Sequence, residues 1–85
     1  MKIQETSLKG CFVLEPRLFR DNRGVFLEIY QKKRFEAAIG KQINFVQDNL
    51  SVSKKGVLRG LHFQKDGFAQ SKLIQVITGE VLDVV

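Results

Sequence analysis

Short runs of alternating apolar and polar residues, each closed by a turn, recur from one end of this chain to the other. Period-two alternation puts successive side chains on opposite faces of an extended backbone, the pattern of a half-buried strand. The runs predict strands over 3–6, 11–15, 24–31, 44–53, 57–64, 71–78 and 80–85. The segments between them carry turn chemistry: SLKG, the loop PRLFRDNRG, SKKG, QKDG and TG. One segment breaks the period. KKRFEAAIG is rich in helix formers and ends on Gly40, which predicts a helix of about two turns closed by a left-handed C′ residue. Many short strands with regular turns and one short helix point to an all-β sandwich, jelly roll or barrel.

The chain has 85 residues, one small domain at most, and a core of that size is marginal unless it is stapled or oligomeric. Cys11 is the single cysteine, so no internal disulfide and no cysteine zinc cluster can form. A reducing, cytoplasmic setting fits. MKIQETSLKG lacks the apolar core of a signal peptide and no apolar run reaches membrane-spanning length, so neither secretion nor membrane insertion is expected. The terminal GEVLDVV stops inside an alternating apolar strand with no cap or polar tail. A hydrophobic edge of that kind is one native proteins avoid. Residues 1–85 are therefore expected to form the N-terminal portion of a single, longer domain.

Lys and Arg number 14 against 9 Asp and Glu, a net charge of +5 that favours anionic partners. No zinc-finger, KH or RNP-type pattern is present, and KKR at 32–34 and KK at 54–55 are short enough to be solvated faces. A phosphate-bearing small molecule is favoured over a polynucleotide.

The segment GVLRGLHFQ, 56–64, holds the only histidine. With AQSKLIQVITGEV it sets Gly56, His62, Gln64, Lys72 and Gly79 at spacings that resemble the first motif of the cupin superfamily. Metal-binding cupins place a second His and a Glu where this chain has Gln64 and Lys72. One imidazole does not hold a catalytic divalent metal, which normally takes three protein ligands, and an ammonium repels it. The pattern predicts a metal-free site. An ordinary imidazole, with a pKa of about 6.5, is mostly neutral near pH 7 and accepts a proton. An adjacent ammonium favours that neutral form and stabilises a developing enolate oxygen. His62 and Lys72 are thus candidates for proton abstraction next to a carbonyl, their proximity inferred from the motif alone. Taken by itself, a lone histidine on a strand is more often structural.

The blocks FRDNRGVFLE, FVQDNLSVSKKGVLRGLHFQ and QSKLIQVITGEVLDVV closely resemble dTDP-4-dehydrorhamnose 3,5-epimerases, metal-free cupins of deoxysugar synthesis. The resemblance implies a cupin jelly roll (a double-stranded β-helix), no cofactor, and a homodimer that exchanges strands. It implies dTDP-4-keto-6-deoxyglucose as substrate, inverted at C3 and C5. Carried over residue by residue, it makes His62 the general base and Lys72 the cation on the enolate oxygen. Arg23 and Arg59 become pyrophosphate ligands, suited by their planar donor forks. Phe26 and Glu28 become nucleotide-end contacts reaching the neighbouring subunit's site, and Gln47 and Asn49 line the nucleotide and sugar cleft. The family's Asp that orients the base and its Tyr acid have no counterpart here. Asp83 and Tyr30 lack the flanking residues for those roles.

Alternation puts Leu58, Gly60, His62 and Gln64 on one face and Arg59, Leu61 and Phe63 on the other. Arg59 and His62 reach one substrate only if the alternation breaks, and Gly60 is the residue able to break it. Otherwise Arg59 points to solvent. Gln47, Asn49, Ser51 and Ser53 share a face that is either solvated or barrel-lining. Phe26, Glu28 and Tyr30 share another, whose exposed aromatics fit a dimer surface. Three other readings stay open: a dTDP-sugar 3,4-ketoisomerase or single-carbon epimerase of the same fold, a non-catalytic cupin fragment, and, on charge alone, nucleic-acid binding.

Overall fold

After its first strand the chain reverses around the Thr6 hydroxyl, which donates to the Cys11 carbonyl at 2.8 Å and accepts the Leu8 N–H at 3.2 Å. A turn bond from the Cys11 N–H to the Leu8 carbonyl (3.0 Å) completes the reversal. It joins β1 (Lys2–Glu5) to β2 (Phe12–Glu15) as an antiparallel hairpin with Ile3 opposite Leu14 and Glu5 opposite Phe12. In β2 half-buried Phe12 and Leu14 alternate with exposed Val13 and Glu15, as the period-two pattern predicts.

These features belong to a computed structural model that describes residues 1–60 and 71–85. The chain divides into two units, Met1–Val46 and Gln47–Val85. The first contains four strands and one helix, in the order β1, β2, β3, β4, α1.

A second antiparallel hairpin, β3 (Leu18–Asp21) with β4 (Gly24–Leu27), corrects the loop expected over 16–24. Phe19 pairs with Phe26 and Asp21 with Gly24, leaving only Asn22 and Arg23 in the turn. The charged residues Arg17, Arg20, Asp21 and Arg23 read as loop chemistry. Both hairpin strands are largely exposed, however, so polar residues sit in the ladder without desolvation cost. Gly24 follows the turn at φ 142°, a conformation that a side chain would strain. The strand expected over 24–31 is correspondingly shorter and ends at Leu27.

Helix α1 (Lys32–Ile39) forms where the sequence predicts it. Gln31, in extended conformation, caps its start: the side-chain oxygen accepts the Arg34 N–H at 2.8 Å. Gly40 closes it in the left-handed region (φ 76°, ψ 19°), its N–H donating to the Glu36 carbonyl. The first turn carries Lys32, Lys33 and Arg34 and no acid, against the helix dipole. Packing supplies what the dipole withholds. Phe35, 5% exposed, is the one buried hydrophobic among the described residues. Its ring lies 5.6 Å from Tyr30 and 5.4 Å from Phe45, and those two rings meet edge-on at 5.8 Å. Tyr30 thus belongs to this cluster and not to an exposed aromatic face with Phe26. α1 also lies against β1.

In Gln47–Val85 no strand forms among the described residues, which corrects the strands expected over 71–78 and 80–85 and the described parts of those over 44–53 and 57–64. The rest of 57–64 lies outside the described residues. Strands are made by ladders, and the apolar positions of these runs have no partner there: Val52 is 89%, Leu58 94% and Leu82 91% exposed. The SKKG turn is present, closed by the Val57 N–H on the Lys54 carbonyl at 3.3 Å. None of the helices described is long and apolar enough to cross a membrane.

Candidate functional site

Two groups of the predicted site residues are placed, one in each unit. In Met1–Val46 the β3–β4 turn projects Arg23. Asp21 grips it from two residues back: Oδ1 accepts the Arg23 N–H (2.8 Å), while Oδ2 accepts Nε (3.2 Å) and Nη2 (2.7 Å). These bonds, the guanidinium's first, hold the Asp21 carboxyl below the ordinary aspartate range. The Arg23 side chain remains 86% exposed. Phe26 stands beside it across a shallow open groove lined by Phe19, Asp21, Arg23, Gly24, Val25 and Phe26. Phe26 is 70% exposed, and its ring packs at 6.4 Å, tilted 51°, on Phe19. The Arg17 guanidinium lies 4.9 Å from the Phe19 centroid, a cation–π contact at the end of this aromatic pair. A guanidinium and an exposed aromatic ring in one groove are complementary to a phosphate and a flat heterocycle.

Glu28 follows β4, and its side chain remains about two-fifths exposed. Arg34 of α1 holds its carboxylate, with Nη1 donating at 3.0 Å to each oxygen. Arg34 is therefore not simply part of a solvated basic run, whereas Lys32, Lys33, Lys54 and Lys55 are exposed as expected.

In Gln47–Val85 the amide of Gln47 donates to Asn49 Oδ1 at 3.1 Å, so the two residues expected to share a face touch directly. Both are exposed. Arg59 is exposed, and its Nε (3.3 Å) and Nη2 (3.1 Å) converge on Ser53 Oγ. Next to it Gly60 adopts φ 112°, a conformation that a side chain would strain. Lys72 is exposed. His62 and Gln64 lie outside the described residues. Among the described residues no group of three His, Cys, Asp or Glu side chains is arranged to hold a metal ion.

The sequence reading missed Asp21, Arg34 and Ser53, each the in-chain partner of a predicted functional side chain. The only available signal was proximity, an acid two residues before Arg23 in a turn. The other two pairs, both six residues apart, have none.

Comparison with known proteins agrees with the residue-level resemblance. Residues 5–85 match the dTDP-4-dehydrorhamnose 3,5-epimerase family. The enzyme of that name from Shigella flexneri is 48% identical over 84 residues, covering 99% of this chain and 46% of the relative. The Salmonella typhimurium enzyme is 50% identical over the same share of each. A Streptomyces niveus protein named dTDP-4-dehydrorhamnose 3-epimerase is 40% identical over 85 residues, 100% of this chain and 41% of the relative. The crystal structure of dTDP-4-dehydrorhamnose 3,5-epimerase from Elizabethkingia anophelis superposes with a TM-score of 0.74 at 52% identity, over 81% of this chain and 38% of that one. The chain thus spans about half the length, or less, of the relatives it matches. Its fold class is the all-β cupin jelly roll, of which the described residues form strands and one short helix and no closed barrel. With residues 5–85 matched and nearly half of the positions identical to named members, the chain belongs to the dTDP-4-dehydrorhamnose 3,5-epimerase family.

Proposed function

We propose that residues 1–85 are the N-terminal portion of a single cupin domain whose complete form epimerises dTDP-4-keto-6-deoxyglucose at C3 and C5. The observation that carries this reading is the family match across 5–85, which includes both His62 and Lys72. His62 removes the proton next to the 4-keto group, and Lys72 stabilises the enolate oxygen that results. Arg23 and Arg59 hold the pyrophosphate. Phe26 and Glu28 meet the nucleotide end, and Gln47 and Asn49 line the cleft. The exposed Arg23 beside the exposed Phe26 ring suits that division of labour.

The reaction needs no metal in this reading, because Lys72 and Gln64 stand where cupin ligands would and neither an ammonium nor an amide completes a catalytic metal site with one imidazole. The protein works as a cytoplasmic homodimer, with no further cofactor. The exposed Phe26 of β4 and the exposed Phe19 paired with it on β3 fit a surface that a second copy covers.

The test is solvent-deuterium incorporation into dTDP-4-keto-6-deoxyglucose, followed by NMR with the full-length protein. Exchange at both C3 and C5 is expected, and exchange at neither overturns the assignment. Exchange at C3 alone identifies the second reading, a 3-epimerase, which the likeness to the Streptomyces niveus protein favours.

A further inference from the structure

Asp21 ties down both ends of Arg23. One carboxylate oxygen fixes the backbone N–H, and the other takes Nε and Nη2 together. The hairpin register explains why one short side chain reaches both: Asp21 is the last residue of β3, paired with Gly24, and Arg23 occupies the turn between them. We infer that Asp21 is a positioning residue for nucleotide binding, holding the Arg23 guanidinium in its binding geometry before the ligand arrives. The inference rests on the proposal that Arg23 meets the pyrophosphate.

The physical case has three parts. An 86% exposed arginine has many rotamers, and freezing them on binding weakens affinity unless the free protein has already selected one. Asp21 makes that selection through charge-assisted bonds, the strong kind. It engages Nε and Nη2, and among the described residues Nη1 has no partner, so one corner of the fork remains for a phosphate oxygen. Finally, both residues line the groove that Phe26 borders, so the held guanidinium stands at the site where the nucleotide end is proposed to lie.

Against this stands the carboxylate's own charge, which repels a pyrophosphate. The two effects have opposite signs in a binding measurement. Titration calorimetry with dTDP as the probe separates them in the full-length protein, using wild type, Asp21→Ala, Asp21→Asn, Arg23→Ala and the double variant Asp21→Ala/Arg23→Ala. Asp21→Asn keeps an oxygen for the Arg23 N–H and so preserves the turn while removing the charged grip. Both Asp21 variants are expected to bind dTDP about 3- to 10-fold more weakly, the range of one side chain's ordering cost. In the Arg23→Ala background, Asp21→Ala should add no further loss, since a positioning residue has nothing left to position.

Unchanged or tighter dTDP binding by Asp21→Asn, with Arg23→Ala weakened, overturns the inference and leaves the Arg23 assignment standing. An equal loss from Asp21→Ala in both backgrounds also overturns it, because Asp21 then acts through the fold. Unaltered binding by Arg23→Ala removes the underlying assignment, and the inference falls with it.

Discussion

Arg34 Nη1 sits 3.0 Å from each oxygen of Glu28, tying the segment after β4 to the first turn of α1. The pair is well exposed, with side-chain accessibilities of 62% and 41%. Solvent screens such a contact, so its effect is on where the Glu28 carboxylate points more than on stability.

A double-mutant cycle on Glu28 and Arg34 should accordingly give a coupling of roughly 0.2–1 kcal/mol, shrinking in high salt. Urea denaturation of the full-length protein measures it. A salt-insensitive coupling above about 2 kcal/mol would show that the pair is desolvated in the assembled protein.

Asp21 should titrate below the ordinary aspartate range, with Arg23 as the cause. A carboxyl depressed in the folded state contributes stability that is fully present above its unfolded value, about 3.9, and is lost as pH falls through the lower folded-state value. The contribution is small, because the pair lies in solvent. Carboxyl-carbon NMR of wild type and Arg23→Ala checks the cause directly: the midpoint should rise in the variant, and an unmoved midpoint would contradict it.

Phe35→Ala should be the most damaging single truncation in Met1–Val46. It empties the centre of the Tyr30–Phe35–Phe45 cluster at the buried position of α1. Truncating a buried phenylalanine typically costs about 3–5 kcal/mol. Thermal denaturation of the full-length protein measures the loss, and one under 1 kcal/mol would mean the cluster is not a core.

His62→Ala should abolish deuterium exchange at both C3 and C5, since one base is proposed to serve both abstractions. Loss of a positioned base costs on the order of 10²–10⁴-fold in rate. Lys72→Ala should cost roughly 3–4 kcal/mol in the barrier if the ammonium acts as an oxyanion donor does. Arg23→Ala should instead raise KM more than it lowers kcat. Near wild-type exchange in the His62 variant would remove it as the base.

Residues 1–85 expressed alone should show no sharp two-state thermal transition. Phe35 is the one buried hydrophobic among the described residues, while Val52, Leu58 and Leu82 are almost wholly exposed. Burial that sparse does not offset the entropy of ordering the chain. Scanning calorimetry of the isolated segment tests this; a cooperative monomeric transition would refute it.

The elements legible in the sequence were those whose causes lie within a few residues. The run from Lys32 to Ile39 carries its helix formers and its Gly40 stop in one stretch, and the structure puts the ends there. The strands β1 and β2 and the SLKG turn between them were equally local, two alternating runs on either side of turn residues. Family blocks were legible too, and with them the candidate residues.

What the sequence did not disclose depended on pairing. The charged stretch before Gly24 read as a loop because composition records polarity and not register, yet Leu18–Asp21 finds its ladder in Gly24–Leu27. Tyr30 read as a partner of Phe26 by alternation, but the strand stops at Leu27 and the ring turns to Phe35 and Phe45. Arg34 on Glu28 and Ser53 on Arg59 were likewise invisible, and only closeness along the chain pointed to Asp21 on Arg23. Local propensity sets which backbone conformations are cheap. Which side chains meet is decided only when the folded backbone brings them within hydrogen-bonding or packing distance.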